Sequence, residues 1–227
     1  MRALLLDAVG TVIRLREPPA RVYARIAAAH GIQVDLSEVE RKLRPLLARL
    51  APPPLLGVSL DAIPDLEREQ WRRLIRQVLG DAAGDGDCFD ELFAHYGVAS
   101  SWELVPGALR ALDRVRARAV RVAVVSNMDA RLETLLKELA LATRLDSVVI
   151  PANSGLAKPD PRIFHAALDQ LEVPPAKSLY VGDRERNCVD AARAAGLPAL
   201  RYDPTARRGT ANVLTSWEEL ADRFEGH

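Results

Sequence analysis

Ala3-Leu4-Leu5-Leu6-Asp7-Ala8-Val9-Gly10-Thr11 begins as an unbroken apolar run and ends in an acid followed by turn residues. An apolar run this short, with no alternation, suits a strand buried on both faces, which is the habit of parallel sheets. Parallel strands need long crossovers, usually helical, so strands and helices should alternate along the rest of the chain. An acid before a glycine is also ordinary turn chemistry, so Asp7 taken alone could serve only the backbone.

From Pro106 onward the alternation is present. Apolar runs at Val122 to Val125, Ser147 to Ile150 and Leu179 to Val181, with a weaker one at Ala199 to Tyr202, predict strands. Helical stretches are expected at Gly107 to Arg118, Ala130 to Leu139, Asp160 to Leu171 and Arg186 to Ala195. Between the first strand and Pro106 the pattern is helical throughout, near Pro19 to His30, Leu36 to Leu50, Pro64 to Leu79 and Cys88 to Tyr96. Breakers at Pro52 to Pro54 and Gly80 to Gly86 separate these stretches. A chain of 227 residues suits one core carrying an insertion. The expected division is a parallel-sheet α/β core from residues 1–14 and 100–227, with an all-helical insertion over 15–99.

Lys plus Arg and Asp plus Glu number 31 each, and no long block of one sign occurs. That balance gives no electrostatic case for a nucleic-acid partner or an anionic membrane, so a small-molecule substrate is expected. No apolar run has the length of a membrane helix, and Met1 leads straight into a strand rather than a signal peptide. Cys88 and Cys188 lie in unrelated contexts, which suggests neither a disulfide nor a zinc site. A cytoplasmic location is the expectation. Nothing in the composition assigns an oligomeric state, and a homodimer is open to such a chain.

In an open parallel sheet, ligands bind beyond the carboxyl ends of the strands. The polar residues placed there are Asp7, Ser126, Lys158 and Asp183. A carboxylate, a hydroxyl, a cation and a second carboxylate at one crevice suit transfer of an anionic group through an aspartyl ester. Asp7 would attack, and Ser126 and Lys158 would hold the anionic group and offset its repulsion of the nucleophile. Asp183 with Asp7 would hold magnesium, a hard ion that takes carboxylates, substrate oxygens and waters.

Asp7-Ala8-Val9-Gly10-Thr11, Ser126-Asn127, Lys158-Pro159-Asp160 and Gly182-Asp183 stand in the order and spacing of the haloacid dehalogenase-like hydrolases, and the chain resembles that family over nearly its whole length. The resemblance implies a Rossmann-like core with a helical cap inserted after the first motif. Gln70-Trp71-Arg72-Arg73-Leu74 looks like a phosphatase-like subgroup within it. It also implies roles: Asp7 and Lys158 catalytic, and Ala8, Thr11, Ser126, Asn127 and Lys158 around the substrate. Magnesium would lie between Asp7, the backbone carbonyl of Val9 and Asp183. The reaction implied is magnesium-dependent hydrolysis of a small phosphorylated metabolite through an aspartyl-phosphate, with the cap closing over the crevice.

Two positions depart from that pattern. Family phosphatases usually carry an aspartate two residues after the nucleophile, where this chain has Val9, and general acid/base catalysis typically contributes about 10²–10⁴-fold. A slow phosphatase is therefore expected. The 2-haloacid dehalogenases, which lack that acid and work without magnesium, are the alternative enzyme reading. A catalytically weak phosphate-binding or interaction protein is the alternative outside catalysis. Second, Cys188 stands where another acid is often found. A cysteine on an early helical turn is expected to be a packing residue, and Asp190 would point to the opposite side of a helix. Ser126 and Asn127 could equally cap the helix that follows them. Lys42, between charged neighbours, is expected on a solvated face.

Overall fold

The computed structural model describes residues 1–225. By contact the chain divides into two units, Met1–Arg14 with Leu104–His227, and Leu15–Glu103. In chain order the strands are β1 (Ala3–Leu6), β2 (Ile13–Leu15), β3 (Trp102–Leu104), β4 (Arg121–Val125), β5 (Ser147–Val149), β6 (Ser178–Gly182), β7 (Ala199–Tyr202) and β8 (Val213–Leu214). The α-helices are α1 (Pro19–Ala29), α2 (Leu36–Arg49), α3 (Ile63–Leu79), α4 (Asp81–Gly84), α5 (Asp87–His95), α6 (Ala108–Arg116), α7 (Arg131–Glu138), α8 (Pro151–Ser154), α9 (Arg162–Leu171), α10 (Ala191–Ala194) and α11 (Trp217–Glu225).

The first unit is a Rossmann-like α/β fold around a six-stranded sheet in the order β5-β4-β1-β6-β7-β8. Every pairing in it is parallel, with Leu6 level with Val124 of β4 on one side and Val181 of β6 on the other. β1 is therefore an inner strand, and all of its residues are fully buried. Side chains alternate along a strand. Ala3 and Leu5 join the layer that holds Ile163, Phe164 and Leu168 of α9 and Ala192 of α10. Leu4 and Leu6 face the other way. Burial on both faces is why β1 reads as continuous rather than alternating.

The second unit is the helical insertion. Val22 and Ile26 of α1, Leu43 of α2, Leu74 of α3, and Phe89 and Leu92 of α5 share one apolar core. Local chemistry sets the helix starts. Asp35 caps α2 by accepting from the Glu38 N–H at 3.0 Å, and Pro19 and Pro64 sit in the first turns of α1 and α3, where a missing N–H costs nothing. Lys42 meets Glu38 at 2.9 Å, one turn back on its own helix.

Several elements differ from the sequence reading. The stretch expected as one helix from Arg186 to Ala195 is a π-helical turn, Glu185–Asp190, followed by α10. Ser126 and Asn127 do not cap α7, which starts at Arg131; the Asp129 carboxylate accepts from the Arg131 N–H instead. The last two strands of the sheet and α11 come from a region where only one weak strand was expected. β2 and β3, also unforeseen, pair as a two-stranded sheet. At two or three residues each, β2, β3 and β8 are too short to carry a period.

Candidate active site

Asp7 is the first residue beyond β1, and its N–H donates to Val181 O of β6 at 2.9 Å, so the sheet ladder itself fixes its place. β4 and β6 flank β1, and each delivers a polar residue just past its own carboxyl end, Ser126 and Asp183. Gly10 has φ +82°, and a Cβ built there would overlap the Asp183 carboxylate. Only glycine accepts both conditions, so the turn after β1 can lie against Asp183.

Asp7 is buried, and each of its carboxylate oxygens is held. Oδ1 accepts from the Ala8 N–H at 2.8 Å and from Lys158 Nζ at 2.9 Å; Oδ2 accepts from the Cys188 thiol at 3.0 Å. Lys158 reaches Asp7 from the loop after α8, and its side chain is 2% exposed. Its ammonium also donates to the Tyr180 hydroxyl at 3.2 Å and to Cys188 Sγ at 3.4 Å. Asn127 clamps the Lys158 backbone from both sides. Its Oδ1 accepts from the Lys158 N–H and its Nδ2 donates to the Lys158 carbonyl, each at 2.7 Å.

The electrostatics follow from burial around one carboxylate. Burial opposes the Lys158 charge, yet the Asp7 carboxylate beside it prevails and its pKa stands above that of an ordinary lysine. Burial, then the Asp7 charge, push the Cys188 thiol up to about 12, so at neutral pH it is a protonated donor. The same two causes, in the same order, raise the Asp183 carboxyl to about 6. Two carboxylates near each other in a poorly solvated site resist ionising together.

The other predicted site residues occupy varied positions. Ser126 Oγ accepts from the Met128 N–H at 3.2 Å within its own loop. Thr11 is fully buried; its carbonyl accepts from the Trp217 indole, and its Oγ1 has no hydrogen-bond partner. Val9 is 37% exposed and contributes only a backbone carbonyl and an aliphatic side chain. Asp190 lies away from the cluster and meets Arg193.

Cys188 packs in the buried core, as its sequence reading expects, and beyond that reading its sulfur touches both Asp7 and Lys158. Tyr180 went unnoticed because a tyrosine inside an apolar strand reads as core. Strand alternation was the available signal, since it puts Tyr180 on the same face as Gly182, next to Asp183.

Asp7, Asp183 and Cys188 each present a ligand atom within 4.8 Å of the others. Asp183 Oδ1 is buried and has no hydrogen-bond partner. Two hard carboxylates, one with an unsatisfied oxygen, fit a hard divalent cation, whereas the sulfur of Cys188 is a soft donor already directed at Asp7.

Residues 1–196 match the haloacid dehalogenase-like hydrolase family. The chain is 32% identical over 205 residues to haloacid dehalogenase-like hydrolase domain-containing protein 3 of Bos taurus, covering 87% of this chain and 80% of the bovine protein. It is also 32% identical over 164 residues to a phosphoserine phosphatase of Thermus thermophilus, covering 71% and 64% of the two chains. Among solved structures, a HAD phosphatase from Thermococcus onnurineus superposes with a TM-score of 0.69 at 22% identity, covering 100% of this chain and 99% of that one. A 2-haloacid dehalogenase from Pseudomonas syringae does so with 0.64 at 20%, with the same coverage. Both structures share the fold.

Proposed function

We propose, since this chain belongs to the haloacid dehalogenase-like hydrolases, that it is a slow, magnesium-dependent phosphatase of small phosphorylated metabolites working through an aspartyl-phosphate on Asp7. The observation that carries the reading is the buried Asp7–Lys158 pair beside an Asp183 whose Oδ1 lacks a partner. A carboxylate oriented at a strand end, with a cation beside it to offset the repulsion of an anionic substrate, suits covalent catalysis by an anionic nucleophile. A nearby carboxylate with an unsatisfied oxygen is what a divalent cation would engage.

In the first step a carboxylate oxygen of Asp7 gives its electron pair to phosphorus. The phosphorus–oxygen bond to the alcohol breaks, and the leaving oxygen takes a proton from solvent, because Val9 has none to give. Water then attacks the acyl-phosphate, one of its protons passes to solvent and the other stays on the phosphate, the bond to Asp7 breaks, phosphate is released and the carboxylate is restored. Asp7 and Asp183, with the Val9 carbonyl, would hold magnesium, which when bound neutralises phosphoryl charge. Lys158 offsets the charge of the nucleophile, and Ser126, Asn127, Ala8 and Thr11 form the surrounding shell. The helical unit Leu15–Glu103 is the insertion that the family likeness reads as the cap.

The dehalogenase reading is favoured by one observation, the missing acid at Val9, since a halide leaves without a proton. Phosphate release from para-nitrophenyl phosphate and a metabolite panel, with and without magnesium, tests the proposal against Asp7→Asn. Magnesium-dependent turnover that vanishes in Asp7→Asn is expected. Turnover equal in both proteins would sink it, and halide release from 2-haloacids without metal would replace it.

A further inference from the structure

We propose that Cys188 and Tyr180 are positioning residues of this site: the Cys188 thiol holds Asp7 by Oδ2, while the Tyr180 hydroxyl anchors the Lys158 ammonium that holds Oδ1. The inference rests on the phosphatase reading for the identity of the reacting group.

An ionised carboxylate offers about four acceptor positions, two on each oxygen. On Asp7, Oδ1 receives two donors, the Ala8 N–H and Lys158 Nζ. Oδ2 receives one, the Cys188 thiol. The acceptor position left over is therefore on Oδ2, and the thiol sets the direction in which that lone pair points. It is the one acceptor position of Asp7 that the chain's own donors leave open, facing the phosphorus and the cation that the proposed reaction brings to this carboxylate.

Lys158 shows the complementary arithmetic. An ammonium has three donors, and here they meet Asp7 Oδ1, the Tyr180 hydroxyl and Cys188 Sγ at 2.9, 3.2 and 3.4 Å. With its side chain almost wholly buried and every N–H engaged, Lys158 acts by fixing Asp7. Tyr180 and Cys188 in turn fix Lys158. Tyr180 is itself held by an edge-to-face contact with Phe164, ring centroids 5.0 Å apart. Cys188 is held by the π-helical turn, its N–H donating to Arg184 O at 3.1 Å.

Gly182 provides a separate indication that the pair is built. A Cβ at that position would stand 2.8 Å from Cys188 Cβ and 2.9 Å from the Tyr180 hydroxyl. Any larger residue would push the two groups apart, and neither would then reach Lys158 as it does. The strand end is shaped around the thiol and the phenol together.

The test uses Cys188→Ala, Cys188→Ser and Tyr180→Phe variants of the 227-residue chain, assayed on para-nitrophenyl phosphate with magnesium. Removing a hydrogen bond to a charged group should lower kcat roughly tenfold in the Ala and Phe variants with KM little changed. Cys188→Ser, which keeps a donor, should recover most of the loss. Parental kcat in both the Ala and Phe variants would overturn the proposal. A readout without turnover is the infrared S–H stretching band of Cys188, recorded in a Cys88→Ala background. It should move to higher frequency in Asp7→Asn, where the acceptor loses its charge, and an unmoved band would overturn the thiol contact. If the parent shows no Asp7-dependent turnover, the phosphatase reading fails, and the infrared band still decides whether the thiol holds Asp7.

Discussion

Val9 lies two residues beyond Asp7 with a half-open side chain and no group that can move a proton. In the proposed reaction both steps then rely on solvent for protons, and the departure of the alcohol suffers most. Val9→Asp should raise phosphate release by about 10²–10⁴-fold, the usual contribution of a positioned acid/base. A kcat unchanged from the parent would mean that another group already does this work. A second residue-scale expectation concerns Asp203. The Thr205 hydroxyl, then Arg201, hold its carboxyl down at about 2, below the ordinary 3.8. Because the folded pKa is depressed, its contribution to stability is present above about pH 4 and fades as pH falls toward about 2. Denaturant melts of parent and Asp203→Asn should differ at neutral pH and converge across that window; a gap that widens on acidification would contradict the assignment.

At the scale of elements, β1 does the most. It pairs on both edges, buries both faces, and carries Asp7 at its end. Leu5→Ala would leave a cavity in the layer formed with α9 and α10, and such deletions typically cost about 2–5 kcal/mol. Equilibrium urea unfolding should show that loss, and a shift under about 1 kcal/mol would mean the layer collapses into the gap. The π-helical turn Glu185–Asp190 is the other decisive element. Its wide turns, frequent at functional sites, bring Cys188 inward to Asp7 and leave Asp190 to pair with Arg193.

Across the molecule, the central strand comes from the first residues of the chain, and its partners β4 and β6 lie far along it. The first unit cannot close until those distant segments return, so β1 belongs to its most cooperative part. Hydrogen exchange should find the amides of Leu4 to Leu6 among the slowest, opening only with global unfolding. The Pro-rich segment at 51–59, which lies outside any helix or strand, should exchange fastest among internal residues. Fast exchange at Leu4 to Leu6 would show that β1 frays independently of its neighbours.

The architecture was legible because its signals are local. Doubly buried strands read as apolar runs, the inserted helices carry their own periodicity, and Asp7, Ser126, Lys158 and Asp183 each follow a strand or lie in the loop after one. The sequence by itself therefore determined the α/β class, the inserted helices and the residues at the sheet's carboxyl edge. It did not determine how those residues are joined. Asn127 was expected around the substrate and clamps the Lys158 backbone; Tyr180 read as core and binds Lys158; Cys188 packs in the core as expected and also holds the nucleophile. These contacts link positions up to 181 residues apart. They depend on strand order and on a π turn, neither of which leaves a period in the sequence. A hydrophobic pattern reports which side of an element is dry, whereas only the packed sheet decides which polar atoms meet there.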